Sequence, residues 1–233
     1  MIGIMCAMVE ELEPILEYMH IKQRKHHVNN TFYLAEFEGE DIVLAYSKIG
    51  KVNAAITATI MIEKFGVKKL LFSGVAGAVD NDLKIGDLIT AKYVCQHDVD
   101  LTVFGYKHGF IPESEIYFEC DGRLIDTAFK VADKLKIKLK KGIIASGDQF
   151  VHSKAKKEWI QEVFGASAIE MEGGAVGCVC WNEKVPFFML RAISDTAEEG
   201  AGVDFDAFLE ESSRVSAKFL IEMLREIKVS NEK

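Results

Sequence analysis

Short, almost unbroken apolar runs recur along the chain at residues 2–8, 42–46, 70–72, 88–91, 143–145 and 187–193. They lack the polar alternation of a half-exposed strand and read as strands buried on both faces, as in a helix-covered, parallel or mixed sheet. Between them, helical patterns occupy 10–19, 52–65, 124–135, 154–164, 173–181 and 205–227. In the last of these, Leu209, Val215, Phe219, Ile221 and Leu224 form an apolar stripe at roughly helical spacing. Strands alternating with helices predict an α/β fold: one domain over 1–233, three α/β/α layers, and a central mixed, largely parallel twisted sheet. Segment 97–118 follows neither period and is expected to be a long functional or interface loop. The chain has only three prolines, Pro14, Pro112 and Pro186, and no Ser/Gly/Pro-rich linker at which to divide it.

Composition narrows the partners. Lys plus Arg number 28 against 36 for Asp plus Glu, a net charge of −8, which works against binding a phosphate backbone. Nucleic acid is therefore not expected. No apolar run approaches the ~18 residues of a membrane helix, and the first residues carry no basic segment but acids at Glu10 and Glu11. The expectation is a cytoplasmic protein without membrane association. Five scattered cysteines, none in a CxxC pair, predict reduced thiols rather than a disulfide framework.

Sheets of this kind place ligands at the carboxyl ends of their strands, and four such places carry polar or glycine-rich groups. Glu10-Glu11 follows the first run. Gly74-Val75-Ala76-Gly77 follows the third. As a strand-to-helix turn it would bring backbone N–H groups close to a ligand, but it matches neither GxxxxGK[ST] nor GxGxxG, and it reads equally as a structural tight turn. Glu170-Met171-Glu172 precedes Gly173-Gly174. Residues 170 and 172 of an extended strand end point the same way. An acid at the following helix N-terminus is held ionised by the dipole, and two carboxylate acceptors suit a vicinal diol. The plainer alternative is a helix-start acid with no ligand. Arg191-Ala192-Ile193-Ser194-Asp195 ends the last apolar run. There, a desolvated Asp195 would serve as a proton donor, or else as a turn aspartate. His97-Asp98-Val99-Asp100 has no second His or Cys cluster to complete a metal site, so no metal and no cofactor are expected. Lys134–Lys141 and Lys154–Lys157, and His26-His27, are expected to be solvated.

Together these pieces resemble the methylthioadenosine/S-adenosylhomocysteine nucleosidases of the nucleoside phosphorylase/hydrolase superfamily. The matching segments are 3–11, Ser47-Lys48-Ile49-Gly50-Lys51-Val52, Ser73-Gly74-Val75-Ala76-Gly77, and His97-Asp98-Val99-Asp100 through Phe104-Gly105-Tyr106. Ser146-Gly147-Asp148-Gln149-Phe150-Val151, Glu170-Met171-Glu172 and Arg191 to Asp195 complete the order. The resemblance spans Ile2 to about Leu224 and implies a nucleoside phosphorylase-like fold. It also implies hydrolysis of the N-glycosidic bond of 5′-methylthioadenosine and S-adenosylhomocysteine, in methionine salvage. By the same resemblance Glu11 activates water and Asp195 protonates adenine N7. Ser194 and the backbone near Val151 hold the base, and Phe150 stacks on it. Met171 and Glu172 bind ribose, with Glu170 and Val75 in the same substrate set, and Arg191 lies near the water. Ile49 and Phe205 line a thioalkyl pocket. Leu101, Phe104 and Pro112 reach across a homodimer interface, which gives segment 97–118 a purpose. Two departures stand out. Val75 replaces a frequent serine, leaving only backbone donors at that loop. Met8-Val9-Glu10-Glu11 replaces Met-Glu-Glu-Glu but keeps the third acid.

A phosphorylase on the same fold is the nearest rival. Holding phosphate requires cations, and Arg191 is the only arginine in these motifs, so hydrolysis is favoured. A nucleosidase for AMP or futalosine is the second rival: the few cations disfavour AMP, and futalosine stays open. A nucleoside-binding protein without turnover would not need Glu11.

Overall fold

In the computed structural model, which describes residues 1–198 and 201–231, the most apolar runs become four adjacent parallel strands. β4 (Glu40–Tyr46), β1 (Ile2–Cys6), β5 (Lys69–Ala78) and β10 (Phe187–Asp195) lie side by side in that order. Every residue of β10 is buried, as a strand covered on both faces requires. Phe72, Phe188, Ile4, Met5 and Leu44 on these strands are fully buried, each such side chain contributing about 1.5–3 kcal/mol by leaving water.

The sheet is mixed, but not largely parallel as its apolar runs predict. Among the described strands five pairings are parallel and five antiparallel. Two features account for this. One is a hairpin of β2 (His20–His27) and β3 (Asn30–Phe37), paired antiparallel to each other and to β4. Its loop, Val28-Asn29, has φ of 48° and 53°, the left-handed pair of a two-residue hairpin turn. β2 is exposed along nearly its whole length, so its polar sequence carries no apolar run, and His26 and His27 end an exposed strand. The other feature is closure. β10 pairs with both β5 and β6 (Leu88–Gln96), β6 with β8 (Leu139–Ser146), β8 with β9 (Ala166–Glu170), and β9 with β5. These five strands form a closed ring, from which β1, β4, β3 and β2 extend as a sheet. A short β7 (Tyr117–Glu119) pairs with β6.

The helices are α1 (Val9–Leu16), α2 (Lys51–Glu63), α3 (Gly122–Leu135), α4 (Lys154–Phe164), α5 (Gly173–Glu183) and α6 (Ala201–Asn231). α3 begins at Asp121, whose carboxylate accepts the Leu124 N–H at 2.9 Å, an N-cap bond. α6 packs on β10 and β5 and against α1, bringing the first and last helices onto one face of the core. A smaller cluster, including Val79, Cys95, Ala145, Ile160 and Phe164, lies under α4. Segment 97–118 is irregular apart from one 3-10 turn at Thr102–Phe104 and the start of β7. All five cysteines are free thiols. Among the described residues no helix is long and apolar enough to cross a membrane.

One lysine departs from expectation. Lys157 is buried, its Nζ donating to the Thr196 carbonyl at 3.0 Å and to Glu198 at 2.8 Å. Lys140 pairs with Asp80.

Candidate active site

Glu11 lies in the first turns of α1, just past the end of β1. Its Oε2 accepts the N–H groups of Ala7 at 2.8 Å and Met8 at 3.0 Å, and its Oε1 accepts the Val75 N–H at 2.9 Å. The carboxyl is buried, which raises its pKa above the usual carboxylate range. The nearby Arg191 charge and the three N–H donors oppose that rise. This approach explains Gly74. A Cβ there would stand 2.8 Å from the Glu11 carboxyl carbon, so any side chain would expel the acid. Gly74 to Gly77 lie inside β5, not in a strand-to-helix turn. Val75 meets Glu11 through its backbone N–H, so the missing hydroxyl leaves that contact intact.

Gly77 does the same for the second acid. β10 pairs Asp195 with Gly77 across a register shift after Ile193, and a Cβ at Gly77 would sit 2.7 Å from Asp195 Oδ1. Asp195 Oδ1 accepts the Ala197 N–H at 2.8 Å, and Oδ2 accepts the Ser194 hydroxyl at 2.9 Å. Burial raises its pKa, and those two donors oppose the rise. The four-residue glycine segment thus makes room for one carboxylate at each end.

Glu170 and Glu172 divide their tasks differently from the pattern read in the sequence. The acid on the N-terminus of α5 is Glu170, which accepts the N–H groups of Glu172 at 3.1 Å and Gly173 at 2.8 Å. It also accepts the Ser146 hydroxyl, and its Oε2 meets Arg191 Nη2 at 2.8 Å. Glu172 turns away from the helix, and its Oε1 accepts the Gly50 N–H at 2.8 Å. Burial, reinforced by the neighbouring Glu170 charge, pushes the Glu172 carboxyl up to about 8.

Arg191 is 1% exposed, with its guanidinium 4.1 Å from the centroid of the Phe72 ring. It does not line the cavity described next; it neutralises Glu170 from behind. Removing one partner of a buried ion pair strands the other charge. Arg191→Leu is therefore expected to lower the unfolding free energy by about 3–5 kcal/mol, measured by urea denaturation. A change under about 1 kcal/mol would show that Glu170 needs no counter-charge.

The acids open into one cavity of about 790 Å³, towards the upper end of the range for small-molecule sites. Glu11, Val75, Glu170, Met171, Glu172, Ser194 and Asp195 line its floor side. Ile49 follows β4, Phe150 and Val151 follow β8, and Phe205 comes from α6. The Phe150 and Phe205 rings meet edge to face at 5.8 Å. Leu101, Phe104 and Pro112 are not brought to it; Phe104 is 73% exposed on the surface of segment 97–118. Sequence reasoning passed over Met8, His152, Val203 and Asp206, which also line the cavity. Val203 precedes the helical pattern read at 205–227, and Asp206 precedes its apolar stripe, so no sequence pattern marks them. Among the described residues no three His, Cys, Asp or Glu side chains are grouped to hold a metal.

A family model described as the phosphorylase superfamily matches residues 1–225. The chain is 49% identical over 226 residues to an aminodeoxyfutalosine nucleosidase of Campylobacter jejuni, covering 97% of this chain and 99% of that protein. It is 37% identical over 228 residues to a 5′-methylthioadenosine/S-adenosylhomocysteine nucleosidase of Staphylococcus carnosus, covering 97% and 100%. Among solved structures, the Helicobacter pylori 5′-methylthioadenosine/S-adenosylhomocysteine nucleosidase with butyl-thio-DADMe-Immucillin-A matches with a TM-score of 0.95 and 51% identity, over 97% of each chain. A structure of the futalosine hydrolase of Helicobacter pylori strain 26695 matches with the same score, identity and coverage.

Proposed function

The chain belongs to the phosphorylase superfamily and is a purine nucleosidase, and from that premise we propose that it hydrolyses 5′-methylthioadenosine and S-adenosylhomocysteine to adenine and the thioribose. The observation that carries this reading is the seating of Glu11 and Asp195 on one cavity, against the two ends of Gly74–Gly77. Cleavage of an N-glycosidic bond through an oxocarbenium-like sugar needs an acid on the leaving-group side and a base holding water on the opposite face. Asp195 gives its proton to adenine N7 as the bond to the sugar breaks, and the bonding pair leaves with the base. Water adds to the sugar's anomeric carbon and passes its proton to Glu11. Glu172 holds the ribose hydroxyls with Met171 beside it. Phe150 stacks on adenine, with Ser194 and the Val151 backbone at the base edge. Ile49 and Phe205 form the apolar wall for the 5′ substituent. Arg191 acts through Glu170 and touches no substrate.

We place the active form in the cytoplasm as a homodimer, with Leu101, Phe104 and Pro112 reaching the partner's cavity. The exposure of Val103 and Phe104 at 85% and 73%, with Tyr106 and Ile111 also exposed in the same segment, supports that placement, since clustered exposed apolar side chains mark interaction surfaces.

A second substrate reading has its own support. Relatives 49–51% identical are named aminodeoxyfutalosine nucleosidases, the same identity that the chain shares with the Helicobacter pylori structure named for methylthioadenosine and S-adenosylhomocysteine. One assay separates the readings: purified protein with each nucleoside, with and without phosphate, and both products identified. Adenine with free thioribose, indifferent to phosphate, is the expected result. A sugar 1-phosphate formed only with phosphate would make it a phosphorylase. A kcat/KM for aminodeoxyfutalosine more than about tenfold higher, some 1.4 kcal/mol of transition-state binding, would make that nucleoside the preferred substrate.

A further inference from the structure

Lys51, Asp98 and Asp148 stand outside the chemistry described so far, and none of them lines the cavity. They come from three different strand ends, after β4, β6 and β8, yet they close a ring of polar contacts. Lys51 Nζ meets Asp98 Oδ1 at 2.6 Å, with the two side chains only 15% and 13% exposed. Asp98 Oδ2 accepts the Asp148 N–H at 2.9 Å, and Asp148 Oδ1 accepts the Lys51 N–H at 2.8 Å. The cluster is packed from below by His97, whose buried ring lies against Gly147 so closely that a Cβ there would stand 3.2 Å from its Cδ2.

The immediate neighbours of this ring are cavity residues. Ile49, two residues before Lys51, lines the cavity, as do Gln149, Phe150 and Val151 just after Asp148. The Gly50 N–H, one residue from the Lys51 N–H that Asp148 holds, is the group that donates to Glu172. Gly50 has φ of +98° and carries no side chain, and a Cβ on it would come within 3.2 Å of Asp148 Oδ1. We propose that Lys51, Asp98 and Asp148 are positioning residues that lock these loops together, so that Glu172, held by the Gly50 amide, and Phe150 meet the nucleoside in one fixed geometry. The inference rests on the assignment of Glu172 to the ribose and Phe150 to the base. It assigns to Asp148 an effect on nucleoside binding without contact, through the amide that holds Glu172.

Asp148 gives the cleanest test, because its side chain is half exposed and its loss does not open the core. Asp148→Ala removes the acceptor for the Lys51 N–H while leaving the Lys51–Asp98 pair; Asp148→Asn keeps that acceptor and removes only the charge. Asp148→Ala is expected to raise KM for methylthioadenosine about tenfold with kcat within about twofold, the signature of lost uniform binding. Asp148→Asn should stay within about twofold of wild type. The pH dependence of binding supplies a readout that a general loosening would not move. The groups acting on Glu172 are Glu170 and Glu11, which raise its pKa with burial, and the Gly50 N–H and Arg191, which lower it. With Gly50 displaced, the titration of Glu172 moves upward from about 8 in Asp148→Ala alone. An unchanged KM, equal impairment of both variants, or a KM change with no shift in titration would each overturn the proposal. If wild type releases no adenine, the activity has failed rather than the lock. The same comparison is then read as calorimetric Kd for methylthioadenosine, with the same expected and overturning outcomes.

Discussion

Asp195→Asn is expected to lower kcat by about 10²–10⁴-fold, the usual contribution of a positioned general acid, while the protein stays folded. Asparagine retains an oxygen for the Ala197 N–H, and its amide faces the Ser194 hydroxyl, whose oxygen accepts. The environment of residue 195 is thus preserved and only the transferable proton is lost. Nucleoside affinity should change little, so calorimetry with methylthioadenosine separates lost chemistry from lost binding. Turnover near that of wild type would remove Asp195 from the mechanism. A fall in affinity matching the fall in kcat would make it a binding residue.

Glu11→Gln carries the second large effect, again about 10²–10⁴-fold in kcat, with a structural penalty that Asp195→Asn lacks. Both carboxylate oxygens of Glu11 are acceptors for backbone N–H groups. The glutamine amide must turn a donor toward one of them, at about 1–3 kcal/mol for an unsatisfied buried group. A lowered melting temperature with retained nucleoside binding is therefore expected. If the variant hydrolyses normally, Glu11 is not the base. The pH dependence has a definite sign. Glu11 must be ionised to take the water proton, so kcat/KM falls as pH drops through its pKa, which burial has raised. Asp195 must be protonated to serve adenine N7, so kcat/KM falls again as pH rises through its own raised pKa. A bell-shaped profile for the wild type, with its acid limb abolished in Glu11→Gln, is the expected outcome.

The legible parts of the chain were those whose information is local. β10 announces itself by nine consecutive buried residues, and α4 matches its sequence pattern from Lys154 to Phe164. The acids at 11, 172 and 195 stand at strand ends or helix starts, where the sequence marks them. β2 was illegible because a strand exposed on most of its length has no apolar face to display. β9 offers only five residues, too few to show a period. The role of Gly77 could not be read either, since it depends on the β5–β10 register that sets it opposite Asp195. Which of Glu170 and Glu172 caps the helix was illegible for the same reason: it is decided by Arg191 and Gly50, remote in sequence. Lys157 sits in a lysine-rich stretch that looks solvated, and only the fold reveals its carbonyl and carboxylate partners.

The order in which the ring closes bears on how the protein is made. β10 lies between β5 and β6, which have no pairing with each other, and it is the last described strand along the chain. As a nascent chain leaves the ribosome, β5 and β6 emerge long before residues 187–195. Until then each presents an unpaired apolar edge, the kind of surface that recruits other strands. Asp195 arrives on the closing strand itself, so Glu11 waits for its partner through most of synthesis. A ribosome that stalls before that strand leaves an open sheet that lacks Asp195 and keeps two apolar edges exposed to aggregation.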